Sequence, residues 1–156
     1  MKRIALHPLS KGKYALVDDE DFERLNRFKW HVYKNGYVVR YTGANKNRVT
    51  FYMHRELMSP PRAVKIDHWD TDTLNNQKWN LRPATDSQNQ GNRRVKKEKK
   101  SGSRFKGVYK SGWVAAIQIH GKKKYLGTFD SEIEAARAYN KAALEHFGEF
   151  ALLNPV

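Results

Sequence analysis

The sequence predicts an α+β protein in two units, on three observations. Hydrophobic periodicity switches repeatedly between the two-residue repeat of strands and the 3.6-residue repeat of helices. A basic run without hydrophobic periodicity, ending in Ser101-Gly102-Ser103, separates the two halves. No internal repeat is present, so the halves are different structures.

In chain order, residues 13–17 read as a strand. Asp18 to Asp21 then supply an N-cap and an acidic first turn for a helix with Phe22, Leu25 and Phe28 at helical spacing. Residues 30–34 and 37–41 flank Asn35-Gly36, the signal of a two-residue hairpin turn. Residues 48–52 give another strand, and residues 53–58 a short helical turn closed by Pro60-Pro61. A brief strand over 64–66 leads into Asp67-His68 and a polar, turn-rich segment up to Asn80. Asp86 or Ser87 is expected to cap a short helix that carries Asn89 and ends near Asn92. Beyond the basic run, residues 105–109, 113–119 and 123–129 read as three strands. Ser131 and Glu134 form a capping box for a helix with Ala135, Ala136, Tyr139, Ala142, Ala143 and Phe147 on one face, stopped by Gly148.

Composition narrows the function classes. Thirty Lys and Arg against sixteen Asp and Glu give a net charge of +14, which self-repels unless a polyanion neutralises it. Neither a basic amphipathic helix nor a membrane-length apolar run is present, so nucleic acid is the expected partner and a membrane is not. The absence of cysteine excludes thiol catalysis and thiolate-bound metal, leaving oxygen and imidazole ligands. The N-terminal residues lack a signal-peptide core, so a cytoplasmic protein is expected, in the host cell if phage-encoded.

The segment around Asp67 holds the parts of a phosphodiester hydrolysis site. His68 has an imidazole able to accept a proton near neutral pH, and the Asp67 carboxylate is a hard ligand for Mg²⁺, with Mn²⁺ the alternative. Asn89 offers an amide oxygen from the following helix, and Asn80 is placed to brace the intervening loop. Two other readings stay open: Asp67 as a salt-bridge partner of a nearby cation such as Arg82, and His68 as a half-buried structural histidine. In the C-terminal half, cationic and aromatic residues interleave, including Lys106, Tyr109, Lys110, Gln118, Lys123 and Tyr125, while Trp113 and Ile117 are also core candidates. Arg93, Arg94, Lys96 and Lys97 of the basic run are expected to track phosphates.

Two resemblances follow from these motifs. Asp67-His68, Leu74-Asn75-Asn76, Asn80-Leu81-Arg82, Ala84-Thr85 and Ser87-Gln88-Asn89-Gln90 resemble the HNH motif of the His-Me finger endonucleases, and Met53-His54-Arg55 resembles a pair found upstream in phage-type members. Trp69 and Thr71 stand where that family often has a small aliphatic residue and a glycine. The resemblance implies a ββα-metal nuclease domain with His68 as general base, Asp67 and Asn89 as ligands of one divalent ion, and Asn80 as the loop brace. Phe105-Lys106-Gly107-Val108-Tyr109, Tyr125-Leu126-Gly127-Thr128-Phe129 and Ala135-Ala136-Arg137-Ala138-Tyr139 resemble the plant Apetala-two or ethylene-response-factor domain, a three-stranded antiparallel sheet with one packed helix. Carried over by position, Lys106, Tyr109, Gln118, Lys123, Tyr125 and Thr128 would face DNA.

The expected organisation is a nuclease domain over residues 1–92, a basic linker over 93–102 and a DNA-binding domain over 103–154. The expected function is site-selective cleavage of double-stranded DNA, of the homing type found in phages and mobile elements. One active site nicks; a double-strand break needs a dimer or a second binding event, and both states remain open. The alternatives are a DNA-binding regulator with an inactive nuclease fold, and an RNA binder. Removal of residues 103–156 is expected to weaken binding more than chemistry.

Overall fold

The computed structural model describes residues 1–94 and 102–156, so Lys96 and Lys97 lie outside the described residues. The chain forms two compact units, Met1–Pro83 and Ala84–Val156.

In the first unit, β1 (Lys2–Ala5) and β2 (Tyr14–Val17) make an antiparallel pair that turns Ile4, Ala15 and Val17 inward. Helix α1 (Asp19–Leu25) follows at the expected place but stops short of Phe28. The reason is tertiary: the buried Trp30 indole donates to the Leu25 carbonyl at 2.8 Å, which ends the helix and leaves Phe28 on the surface. Asp18 occupies the N-cap position without capping the helix through its side chain. Its carboxylate instead accepts from the Lys78 backbone N–H at 2.8 Å and the Gln77 amide at 3.0 Å.

A three-stranded sheet in the order β3-β4-β5 comes next, with β3 (His31–Val32), β4 (Val38–Thr42) and β5 (Val49–Tyr52). The hairpin around Asn35-Gly36 has a three-residue loop rather than the expected two. The Gly36 N–H donates to Tyr33 O, the Tyr33 N–H donates to Tyr37 O, and Gly36 takes φ +93°. That is a tight turn followed by a left-handed residue, a conformation open to glycine. Helix α2 (Met53–Met58) ends at Ser59 in the left-handed region. Strands β6 (Lys65–His68) and β7 (Leu81–Ala84) then form a two-stranded sheet. Leu6, Leu25, Trp30, Val38 and Met53 complete the core with the hairpin residues.

The second unit opens with α3 (Asp86–Gly91). Its cap is Thr85, not Asp86 or Ser87. The Thr85 hydroxyl accepts from the Gln88 N–H and the Gln88 amide oxygen accepts from the Thr85 N–H, a reciprocal box that begins one residue earlier than composition indicated. An antiparallel sheet in the order β10-β9-β8 follows, with β8 (Val108–Tyr109), β9 (Val114–Ile119) and β10 (Lys122–Thr128). The first of these is shorter than expected. Gly107 turns the chain at φ +74°, and a Cβ there would lie 2.0 Å from the Tyr139 ring, so Phe105 is drawn into the core outside any strand. Helix α4 (Glu132–Phe147) buries all six residues of its expected face against the sheet, including Tyr139 and Phe147. Trp113 and Ile117 belong to this packing. The Asn154 side chain closes the unit on the Lys106 backbone, accepting at 2.6 Å and donating at 3.1 Å.

The helix that carries Asn89 is part of this second core. A Cβ on Gly91 would meet the Phe147 ring at 2.6 Å, Leu152 N–H donates to Gly91 O at 3.1 Å, and Ala84 joins the cluster of Ile117, Tyr139 and Phe150. Among the described residues, no helix is long and apolar enough to cross a membrane.

Candidate active site and nucleic-acid interface

Asp67 and His68 end strand β6, and both are buried, at 5% and 3% exposure. The loop between β6 and β7 folds on Asn80, which has no exposed surface. Its side-chain oxygen accepts from the Asp70 N–H at 2.9 Å, and its amide donates to Asp70 Oδ1 at 2.9 Å and Asn75 O at 2.8 Å. Its backbone carbonyl accepts from Trp69 N–H at 2.8 Å. The bracing geometry expected of Asn80 is therefore present in full. Asp70, which the sequence reading passed over, is the second hub: its carboxylate also accepts from Asp72 N–H and from the Asn75 amide. The signal for it was an Asx-turn pattern, Asp70-x-Asp72, that composition alone reads as generic turn. The loop is pinned along β2 as well, since Leu16 N–H donates to Leu74 O and Asn76 N–H donates to Leu16 O, both at 2.8 Å.

Thr71 takes φ +64°. This position disfavours a β-branched residue and suits glycine. The loop keeps the conformation even though threonine stands there, because the Asp70 and Asn80 hydrogen bonds over-determine it.

His68 lies in an aromatic box formed by His54, at 5.3 Å between ring centroids, and Tyr37, at 5.6 Å. Tyr52 packs on the outer side of both Tyr37 and His54. Tyr37 was not anticipated, because nothing in its local sequence distinguishes it from an ordinary hairpin residue. Burial pushes His68 below the ordinary imidazole range, while a hydrogen bond with Asn76 and the charges of Asp70, Asp67 and Asp72 pull it partly back. His54, buried beside His68 and Arg55, is pushed down to about 3. Both rings are therefore neutral at pH 7.

Asp67 is ion-paired. Arg82 Nε and Nη2 both approach Asp67 Oδ2 at 3.0 Å, one of the readings that the sequence left open. No group of three or more His, Asp or Glu side chains able to hold a metal occurs among the described residues. The donor chemistry available for a divalent ion is therefore oxygen: the buried Asp67 carboxylate, whose Arg82 contacts fall on one of its two oxygens, and an amide oxygen such as that of Asn89. Two hard oxygens fit Mg²⁺ or Mn²⁺, which retain water in their remaining positions. Asn89 lies half-buried on α3 in the second unit.

The sheet of the second unit shows which side is free. In the register, Lys123 faces Gln118, Tyr125 faces Ala116, and both Thr128 and Tyr109 face Val114. These residues share the side turned away from α4. Tyr125 and Thr128 would ordinarily fall on opposite faces, but the register shifts between Tyr125 and Gly127, and the bulge returns Thr128 to the open side. Their hydroxyls meet at 2.7 Å, and the Lys123 ammonium sits 4.1 Å from the Tyr109 ring centroid. Gln118, Lys123, Tyr125, Thr128 and the turn residue Lys110 are exposed. Lys106 is different. Its ammonium donates to the Gly91 and Gln90 carbonyls at the end of α3, so it caps a helix and does not join this face. Arg93 and Arg94 are exposed just after α3.

A nuclease motif and a sheet-and-helix nucleic-acid module thus occur in one chain, and comparison with known proteins agrees. The chain is 30% identical over 148 residues to an uncharacterized HNH endonuclease of Acanthamoeba polyphaga mimivirus, covering 94% of this chain and 77% of that protein. It belongs to the HNH endonuclease family. A C-terminal stretch is 51% identical over 57 residues to APETALA2-like protein 2 of Oryza sativa subsp. indica, covering 33% of this chain and 13% of the plant protein. An AP2-like ethylene-responsive transcription factor of Arabidopsis thaliana is 35% identical over 69 residues, 16% of its length. No family model matches the chain, and no solved structure matches it significantly.

Proposed function

We propose that the protein is a site-selective endonuclease that hydrolyses phosphodiester bonds of double-stranded DNA, with His68 as the general base and one divalent ion, Mg²⁺ or Mn²⁺, as cofactor. The observation that carries this reading is a neutral, buried His68 adjoining a buried Asp67, on a strand whose loop is fixed by Asn80. An imidazole nitrogen of His68 takes a proton as a water oxygen bonds to phosphorus and the ester oxygen leaves. Keeping the ring neutral at pH 7 is what makes it a proton acceptor there. Asp67 and Asn89 are the residues that would hold the ion, which supplies positive charge at the scissile phosphate. Asn80 keeps the loop, and through it the end of β6, in place.

In this reading residues 1–92 carry the chemistry, 93–102 link, and 103–154 select the site. Tyr109, Lys110, Gln118, Lys123, Tyr125 and Thr128 contact DNA, joined by Arg93, Arg94, Lys96 and Lys97 on phosphates. The homing-type role follows from this pairing of a cutter with a reader.

The regulator reading is favoured by one observation, the Arg82 ion pair on Asp67. A supercoiled-plasmid assay at low salt separates the two. Metal-dependent nicking or linearisation by the parent, lost in His68→Ala with DNA binding intact, is the result expected. Tight binding with no cleavage by the parent under either metal, on any DNA including a candidate insertion site, selects the regulator.

A further inference from the structure

Of the four tryptophans in the chain, Trp30 is buried and Trp113 packs on the second core. The other two are displayed. Trp69 is 55% exposed and Trp79 is 60% exposed, and their rings stand edge to face with centroids 6.1 Å apart. They come together because each adjoins a residue of the braced loop: Trp69 follows His68, Trp79 precedes Asn80, and Trp69 N–H is bonded to Asn80 O.

Holding two indoles side by side in water forgoes the burial that large aromatic side chains otherwise gain. The backbone beneath them is among the most tightly hydrogen-bonded in the unit, so the pair is presented on a rigid support. The nearby cations do not reach out beside it. The Lys78 ammonium is held by Glu20 and Asp21, and Arg82 is on Asp67. The surface next to His68 is therefore aromatic rather than cationic, which suits bases and sugars better than phosphates. Any phosphate within reach of His68 brings its flanking nucleotides within reach of a side chain one residue away.

We propose that Trp69 and Trp79 form a contact surface for bases of duplex DNA, stacking on or wedging beside the nucleotides that flank the phosphate offered to His68. This rests on the endonuclease reading for the location of that phosphate. The indole pair positions the strand; it does not take part in proton transfer.

The experiment uses the full-length His68→Ala protein in EDTA, so that no cleavage is needed, with a 5-bromouracil-substituted DNA duplex as probe. On irradiation, cross-links are expected in peptides containing Trp69 or Trp79, and saturating duplex should protect these indoles from acrylamide quenching. Trp69→Phe and Trp79→Phe assign the fluorescence and retain most binding. The double variant Trp69→Ala/Trp79→Ala, checked for an unchanged melting curve, should lose roughly tenfold or more in affinity. Cross-links confined to residues 103–156, with quenching of both indoles unchanged at saturation, would overturn the proposal, as would protection by single-stranded but not duplex DNA. Protected indoles in a protein whose wild type never cuts DNA would sink the nuclease reading and leave the duplex contact standing.

Discussion

At the scale of single residues, the site depends on a few buried polar groups whose partners are all specified. Asn80→Ala leaves Asp70 and the Asn75 carbonyl without the amide they face, and is expected to destabilise the first unit by about 2–4 kcal/mol. A urea midpoint equal to the parent's would show that the loop does not depend on it. His54 gives a prediction about pH. Its folded value of about 3 lies below the ordinary unfolded value of about 6.5, so between those limits the unfolded chain binds more protons. Stability contributed by the neutral ring is complete above about pH 6.5 and falls as pH drops through that window, by about 2 kcal/mol at pH 5. His68 and His31 shift in the same direction. Denaturation at pH 7 and pH 5 should therefore show a loss that His54→Leu reduces; an equal loss in that variant would remove His54 as a source. The acceptor role of His68 and the oxygen ligand at Asp67 were legible from residue type and spacing. Tyr37, Asp70 and the choice of Arg82 as partner were not, because each depends on which strands lie side by side.

At the scale of elements, helix ends and strand irregularities separate local from tertiary control. Ser59 closes α2 at φ 44°, so Ser59→Gly should stabilise by about 0.5–1 kcal/mol, read as a higher melting temperature. A lower melting temperature would mean that the serine side chain has a role of its own there. At α3 the sign is reversed. Gly91→Ala drives a methyl group into the Phe147 ring, with an expected cost of about 1–3 kcal/mol to the second unit. Periodicity and capping chemistry made most elements readable, and the six buried positions of α4 were identified without error from spacing alone. The misses share one cause. The early stop of α1, the shortened β8 and the bulge in β10 answer to Trp30, to Tyr139 and to the open face of the sheet, none of which is a local sequence signal.

At the scale of the molecule, the division of the chain changes an expectation. Six-residue α3 is too short to stand alone, and its partners Phe147, Leu152 and Lys106 all lie beyond residue 102. Removal of residues 103–156 should therefore cost cleavage even at saturating DNA, rather than mainly binding, if Asn89 is a ligand. Lys123→Ala, by contrast, should lower affinity and reduce the slope of log affinity against log salt by about one, leaving the rate at saturation unchanged. A 1–102 fragment that cuts at the parent's saturated rate would show that the chemistry does not need α3 held in place.

The sequence by itself determined the α+β class, the nucleic-acid partner implied by +14, the HNH and Apetala-two-like motifs and the residues of the sheet's open face. These follow from composition, spacing and period-two alternation, which are local properties of the chain. Only the tertiary structure decided that Arg82 holds Asp67, that Lys106 turns onto α3, that two tryptophans meet beside His68, and that α3 shares a core with the C-terminal sheet and helix. Each of these joins residues distant in sequence or makes one partner win over several equivalent ones, and the choice among equivalent partners is made by packing.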